Sequence, residues 1–315
     1  MSAVKARGGG AKETGSREHL RLPSHCVTRR RRSPEVVAIQ RMLRRERLHS
    51  VCEEARCPNL GECWSRRHVT FMLLGSLCTR ACRFCAVETG RPVAAPDPQE
   101  PQHVAEAARR LALSHVVLTS VNRDDLPDGG AAQFAATVRA IRRERPDATV
   151  EVLTPDFQGD LESVGLVCGA RPHVFNHNVE TVPRLYARVR PGARFERSLR
   201  VLREAGRLLP GGVIKSGFMV GLGETFEEVL VLLRALRDAG VHSVTAGQYL
   251  QPTRHHLPVA RYWEPEEFDA LAEAGRALGL AQIASGPLVR SSYNADETFR
   301  EMRAKRGTLQ RERRE

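Results

Sequence analysis

Two kinds of segment alternate along most of this chain. Residues 69–74, 116–119, 149–153, 173–175, 213–220 and 243–249 are short runs rich in branched aliphatic residues, the composition of buried strands. Residues 131–145, 195–209, 225–239 and 265–278 carry apolar positions at helical spacing and stop near proline or glycine. A further run at 282–284 is a candidate last strand. Strands alternating with amphipathic helices predict a parallel sheet with right-handed crossovers. About six such units in roughly 220 residues predict an α/β fold, a partial TIM-type barrel of about six βα units with N- and C-terminal extensions. An open doubly wound sheet shares this periodicity, because the pattern does not register sheet closure.

Residues 1–34 break the pattern: Gly8 to Gly10, scattered serines and the run Arg29 to Arg32 read as a flexible arm. After Pro34 the apolar positions Val36, Val37, Ile39, Met42 and Leu43 predict one helix over 35–47. The composition, 41% hydrophobic and 27% charged, is that of a globular protein and excludes collagen, wholesale disorder and a small disulfide scaffold. No apolar stretch nears the roughly 18 residues of a membrane helix, and the first 20 residues hold no signal-peptide core, so the expected compartment is the reducing cytoplasm. The net charge of +12 is terminal: residues 1–47 hold 13 bases and 4 acids and residues 300–315 hold 7 and 3, leaving 29 bases against 30 acids between. Such tails either remain solvated or steer an acidic partner toward a neutral body.

Cysteine narrows the chemistry. Of eight, six fall into two triads, Cys52, Cys57 and Cys63, then Cys78, Cys82 and Cys85; Cys168 reads as a core residue and Cys26 as incidental. Structural zinc closes its shell with four Cys or His ligands, often in paired C-x2-C knuckles, and only one such pair occurs here. A four-iron cluster held by three thiolates keeps one iron open for another ligand, which suits each triad better. The second triad follows the first predicted strand, the end at which barrel enzymes build their sites.

The spacing Cys78-x3-Cys82-x2-Cys85 resembles the radical S-adenosylmethionine superfamily, whose loop holds a cluster with one iron open to that cofactor. The text around Cys57 and Cys63, with Arg290-Ser291-Ser292-Tyr293 and the segments 116–131, 174–186, 215–225 and 247–268, is similar to the lipoyl synthase family from about Leu48 to about Arg303. The resemblance implies two 4Fe-4S clusters and S-adenosyl-L-methionine. Cys78, Cys82 and Cys85 would hold the cluster that cleaves the cofactor to a 5′-deoxyadenosyl radical. Cys52, Cys57, Cys63 and Ser292 would hold an auxiliary cluster consumed as the sulfur source. An alkoxide is a harder ligand than a thiolate, so its bond to iron is expected to break first.

The implied reaction inserts sulfur at carbons 6 and 8 of an octanoyl chain on a lysine of a carrier protein. Unactivated methylene groups have no acidic proton, which is why acid-base residues alone do not suffice. The implied partners are octanoylated lipoyl domains of 2-oxoacid dehydrogenases or the glycine-cleavage carrier protein, an electron donor such as ferredoxin or flavodoxin, and an iron-sulfur carrier protein, with no membrane and no nucleic acid. Residues 1–47 form the basic arm and N-terminal helix, 48–69 the auxiliary-cluster segment, 70–289 the barrel, and 290–315 the RSSY segment and basic tail. Two alternatives are a radical S-adenosylmethionine methylthiotransferase and a zinc-dependent nucleic-acid-binding protein. The first usually carries its auxiliary cysteines in a separate domain, and the second leaves RSSY and the strand-helix units unexplained.

Smaller signals complete the candidate site. Gly221, Gly223 and Glu224 form a glycine-rich strand end that suits close approach of a cofactor, or simply a strand-to-helix turn; Phe226 stands where a dinucleotide fingerprint needs glycine. Arg123, Asn178, Glu180 and Lys215 sit near predicted strand ends as candidate cofactor contacts or loop braces. His177 reads as a structural histidine rather than a polar contact at the barrel mouth, His255 and His256 as solvent-facing or loop-bracing residues, and Arg80 and Arg83 as solvated arginines rather than charges that tune the cluster.

Overall fold

The computed structural model describes residues 20–28 and 33–302. Helix α1 (Pro34–Arg45) starts where Ser33 Oγ accepts the Val36 amide and proline occupies the first turn, and it buries Val36, Ile39 and Leu43. Strand β1 (His49–Ser50) and the short helices α2 (Val51–Glu54) and α3 (Leu60–Ser65) carry the first cysteine triad. Strand β2 (Thr70–Leu73) opens the barrel, and β3 (Leu77–Cys78) pairs in parallel with β4 (Glu88–Thr89) to clamp the loop holding the second triad. There follow α4 (Glu100–Arg110), β5 (His115–Ser120), α5 (Ala131–Glu144), β6 (Thr149–Leu153), α6 (Leu161–Gly169) and β7 (Val174–Asn176). The chain continues through α7 (Tyr186–Val189), α8 (Phe195–Leu208), β8 (Val213–Val220), α9 (Phe226–Asp238), β9 (Ser243–Gln248), α10 (Pro265–Ala277) and β10 (Gln282–Gly286).

The main sheet runs β1-β2-β5-β6-β7-β8-β9-β10, with β1 antiparallel on β2 and every other pairing parallel. Seven parallel strands curve into a partial barrel with β1 and β10 at its two edges. β2 and β9 are buried at every position, as expected of a parallel sheet covered on both faces. Each predicted strand forms, shifted by at most a residue or two, and 282–284 belongs to β10. Helices α4 and α6 escape the hydrophobic pattern for different reasons. Half of the buried residues of α4 are alanine, and α6 combines apolar residues with two glycines and has little polar face.

After β10 the chain crosses the open side of the barrel. Asn59 Nδ2 donates to the Leu288 carbonyl at 2.6 Å, Thr70 Oγ1 to Ser292 Oγ at 3.0 Å, and the Tyr293 hydroxyl to Glu62 Oε1 at 3.3 Å. Helical residues 295–302 then plug the N-terminal end of the strands. There Phe299 and Met302 pack on Val174 and Val213, and the Phe299 ring lies 5.9 Å from both His115 and His173.

The reading of residues 1–34 as a flexible arm is corrected for the part described: Cys26 is buried, and His25 Nδ1 lies 4.0 Å from Glu264 Oε2. The run Arg29 to Arg32, the rest of the arm and the tail from 303 lie outside the described residues. No described helix is long and apolar enough to cross a membrane.

Candidate active site between two cysteine triads

A cavity of about 1410 Å³ opens at the C-terminal ends of the strands. Its wall includes Cys78, Cys82 and Cys85 of one triad and Cys52 and Cys57 of the other, with Ser291 and Ser292. Apolar side chains such as Val36, Met72, Leu153, Phe218 and Met219 cover much of the rest. A small side cavity is lined by Cys52, Cys57, Cys63, Arg290, Ser292 and Tyr293, so the two spaces share a wall.

The loop carrying Cys78, Cys82 and Cys85 is held from several directions. The Asn122 amide donates to Cys78 Sγ at 3.3 Å, and the Thr79 amide donates to the Asn122 carbonyl at 3.0 Å. Arg80 is the surprise. It is buried rather than solvated, its guanidinium gripping Asp124 at 2.6 and 2.8 Å and Asp156 at 2.6 Å. Burial pushes the Asp156 carboxyl up, but the Arg80 guanidinium outweighs it and holds the group at about 2. His256 accepts the Thr253 hydroxyl at Nδ1 and donates from Nε2 to the Cys85 carbonyl at 2.8 Å, bracing the loop from outside. Arg83 is exposed, as read from sequence.

The first triad is presented by local turns. Ser50 Oγ caps α2 by accepting the Cys52 amide, and the Cys57 amide donates to the Cys52 carbonyl at 3.0 Å. Two glycines let the C-terminal segment approach. A Cβ at Gly217 would lie 2.5 Å from Thr245 Oγ1 and 2.8 Å from Asn178 Oδ1, and one at Gly247 would run into the Val289 carbonyl oxygen. Asn178 Nδ2 consequently reaches Ser291 Oγ at 2.6 Å.

The donor set fits polynuclear clusters. All eight cysteines are free thiols. Among the described residues no three His, Cys, Asp or Glu side chains converge on one metal-ion position. Each triad instead surrounds a space, which suits a cluster that takes one thiolate per iron. Burial, reinforced by neighbouring cysteines, pushes the Cys63 thiol up to about 12; burial does the same at Cys85 and raises Cys57 and Cys82. Such thiols keep their protons until a soft cation displaces them. Buried polar atoms facing the large cavity, Ser120 Oγ, Asn122 Oδ1 and Asn178 Oδ1, have no partner among the described residues and suit a polar ligand.

The other sequence candidates divide. Asn178 and Glu180 line the large cavity, and burial raises the Glu180 carboxyl against the opposing pull of Arg190. Lys215 is elsewhere, buried inside the barrel with Nζ 3.0 Å from Glu151 Oε1. Arg123 is spent on Asp125 and on the Ala94 carbonyl, away from the cavity lining. Gly221 and Gly223 have positive φ, 92° and 108°, and Glu224 closes their turn by accepting the Gly221 and Leu222 amides and the Trp263 indole N–H. That trio is a strand-to-helix turn outside the lining. His177 touches the cavity, yet Nδ1 donates to the Thr154 carbonyl and Nε2 accepts from Ser198, both at 2.9 Å.

Four residues at the site were not singled out from the sequence, Arg290 having been read only as part of the RSSY segment. Arg190 donates to the Asn178 carbonyl at 2.9 Å and lines the cavity beside Glu180. Among the described residues Arg290 donates only to the Val289 and Pro287 carbonyls and has no carboxylate partner; it faces Cys57, and burial lowers its pKa. Asn122 and Thr70 act through their donors. Each looks like an ordinary loop or strand residue until the fold brings its partner.

Residues 72–236 match the family model of the radical S-adenosylmethionine superfamily. The chain is 58% identical over 271 residues to a lipoyl synthase of Rubrobacter xylanophilus, covering 86% of this chain and 84% of that one. It is 55% identical over 269 residues to the lipoyl synthase of Thermus thermophilus, covering 85% and 83%. Among solved structures, methylornithine synthase superposes with a TM-score of 0.52 at 16% identity, over 68% of this chain and 70% of that. Streptococcus suis SuiB bound to precursor peptide SuiA gives 0.53 at 12% identity, over 72% and 52%. These two likenesses concern the fold.

Proposed function

The chain belongs to the lipoyl synthase family, sulfur-inserting enzymes of the radical S-adenosylmethionine superfamily that use 4Fe-4S clusters, and on that premise we propose a role for each part of its cavity. Cys78, Cys82 and Cys85 hold the cluster that receives S-adenosylmethionine. Cys52, Cys57, Cys63 and Ser292 hold the second. The apolar wall between them takes the octanoyl chain, presenting carbons 6 and 8. The observation that carries this reading is the shared wall: the triads border two adjacent cavities that have Cys52, Cys57 and Ser292 in common.

When bound, the first cluster with S-adenosylmethionine supplies a carbon-centred radical, and the second cluster supplies sulfur. The protein's contribution is placement. Asn122 donates to Cys78 Sγ and so fixes where that sulfur points. Thr70 donates to Ser292 Oγ and so favours the alkoxide a ligand must be. Arg290, without a carboxylate partner among the described residues, sets a cation beside the cysteines of the first triad. Asn178, Glu180 and Arg190 offer an amide, a carboxylate and a guanidinium for the amino, carboxylate and ribose groups of the cofactor. Val36, Met72, Phe218 and Met219 exclude water from the acyl chain.

The same reading takes 48–69 as the second-cluster segment, 70–289 as the barrel and 290–315 as the segment that closes it. Its protein substrates are octanoylated lipoyl domains or the glycine-cleavage carrier, its electrons come from a ferredoxin or flavodoxin, and an iron-sulfur carrier rebuilds the second cluster. Eight free cysteines suit the cytoplasm, where thiols stay reduced.

The test is anaerobic reconstitution with iron and sulfide, then turnover with an octanoylated substrate. Two clusters per chain are expected. Ser292→Ala should retain 5′-deoxyadenosine formation while losing most complete sulfur insertion; undiminished insertion would remove Ser292 from the ligand set.

A further inference from the structure

The mouth of the large cavity is unusually apolar and locally basic. Leu22 and Val37 both line the cavity and stand open to solvent, at 46% and 37% exposure, which makes them rim residues. Val27, also exposed, precedes Thr28 of the lining. Scattered exposed apolar residues need no explanation, but two at one opening, with a third next in chain to its lining, do.

Val37, Arg41 and Arg44 follow one another at spacings of four and three along α1, so they form a single stripe running outward from the rim. The buried residues of α1, Val36, Ile39 and Leu43, anchor the helix and fix where that stripe points. Arg41 and Arg44 are exposed and their side chains make no ion pair or hydrogen bond among the described residues, whereas the adjacent Arg45 is paired with Glu46 at 2.9 Å. Arg56 also lines the mouth, exposed and without an ion-pair partner among the described residues. The nearest acid of the lining, Glu53, accepts a hydrogen bond from Gln40.

We propose that the α1 stripe Val37-Arg41-Arg44, with Arg56 beside the mouth, is the docking surface for an acidic protein domain that presents the octanoyl-lysine to the cavity. The inference rests on the reading of this cavity as the acyl site. Complementary charge speeds encounter and fixes register, and the apolar rim supplies contact around the entering side chain. An octanoyl chain on a short neutral peptide reaches the same cavity without using the stripe. Docking and chemistry are therefore separable.

The experiment compares wild type with Arg41→Glu/Arg44→Glu on two substrates, an octanoylated acidic lipoyl domain and a short neutral octanoyl-lysine peptide. KM for the domain should rise at least tenfold at low salt with kcat within twofold, and the difference should shrink as salt rises. The dissociation constant of the domain, measured calorimetrically on the full chain, should rise in parallel. Kinetics on the peptide should be unchanged. Charge reversal at exposed Arg234 of α9 serves as the control and should leave both substrates unaffected. An unchanged KM and dissociation constant for the domain overturn the proposal, as does an equal loss on both substrates. Failure of wild type to convert even the peptide overturns the acyl-site reading instead.

Discussion

Thr70 Oγ1, on the first barrel strand, donates a 3.0 Å hydrogen bond to Ser292 Oγ across 222 positions of sequence. The bond joins the start of the barrel to the segment that closes it. Among the described residues it also supplies the one donor aimed at the serine proposed as a ligand. Thr70→Val keeps the shape and removes that donor, a loss of about 1 kcal/mol for a net hydrogen bond. Sulfur insertion should fall about fivefold on that scale, while 5′-deoxyadenosine formation stays within twofold. Mass spectrometry of the product and chromatography of the nucleoside measure the two. Equal losses in both would mean that Thr70 supports the barrel as a whole.

Gly247 lets the Val289 carbonyl and the Arg290 guanidinium lie directly on β9. Gly247→Ala should push 289–292 outward and loosen Ser292 from the first triad. Overpacking of this kind typically costs about 1–3 kcal/mol. After reconstitution, iron should drop from about eight per chain toward four. Full iron loading would show that the segment tolerates the shift.

Lys215 and Glu151 form a buried ion pair that Asn176 Nδ2 extends at 3.0 Å and His115 Nε2 approaches at 3.5 Å. Burial opposes the Glu151 charge, but Lys215 and His115 prevail and hold the carboxyl at about 2. Lys215→Met strands that carboxylate and should destabilise the fold by about 3–5 kcal/mol in urea unfolding. Lys215→Met/Glu151→Gln should recover part of the loss. Affinity for S-adenosylmethionine, measured calorimetrically on soluble variant, should be unchanged. A selective loss of that affinity would return Lys215 to the site.

His177 is buried and neutral, and burial, with Arg190 adding repulsion, lowers its pKa to about 4. In the unfolded chain the imidazole takes a proton near pH 6.5. The unfolded state therefore binds more protons between the two values. Stability from this group is complete above about pH 6.5 and is lost as pH falls toward 4, by about 3 kcal/mol in all. Urea midpoints across that range should slope accordingly, and His177→Gln should flatten the slope. An unaltered slope would assign the acid sensitivity to other groups.

Strand positions and the two triads were legible because both are local. A buried parallel strand announces itself in four to eight residues, and the Cys78-Cys82-Cys85 spacing is fixed within one loop. Arg80 was misread for the opposite reason. Its partners Asp124 and Asp156 lie 44 and 76 positions away, on loops after β5 and β6. In the sequence it is one arginine in a polar loop, and nothing in its neighbourhood indicates burial. Lys215 illustrates the same limit: its strand was identified, but alternation alone does not say which end of the barrel a polar residue on that strand occupies.

The sequence by itself determined the alternating strand-helix order, the three-thiolate groups and hence the iron-sulfur character, since these depend on neighbours along the chain. Only the tertiary structure decided that the RSSY segment closes the barrel, that Ser292 joins Cys52, Cys57 and Cys63 around one space, and that Asn178 and Glu180 face the cavity while Lys215 and Arg123 do not. Those relationships arise from strand register and from where the chain ends cross the sheet, and both are settled by packing among residues far apart in sequence.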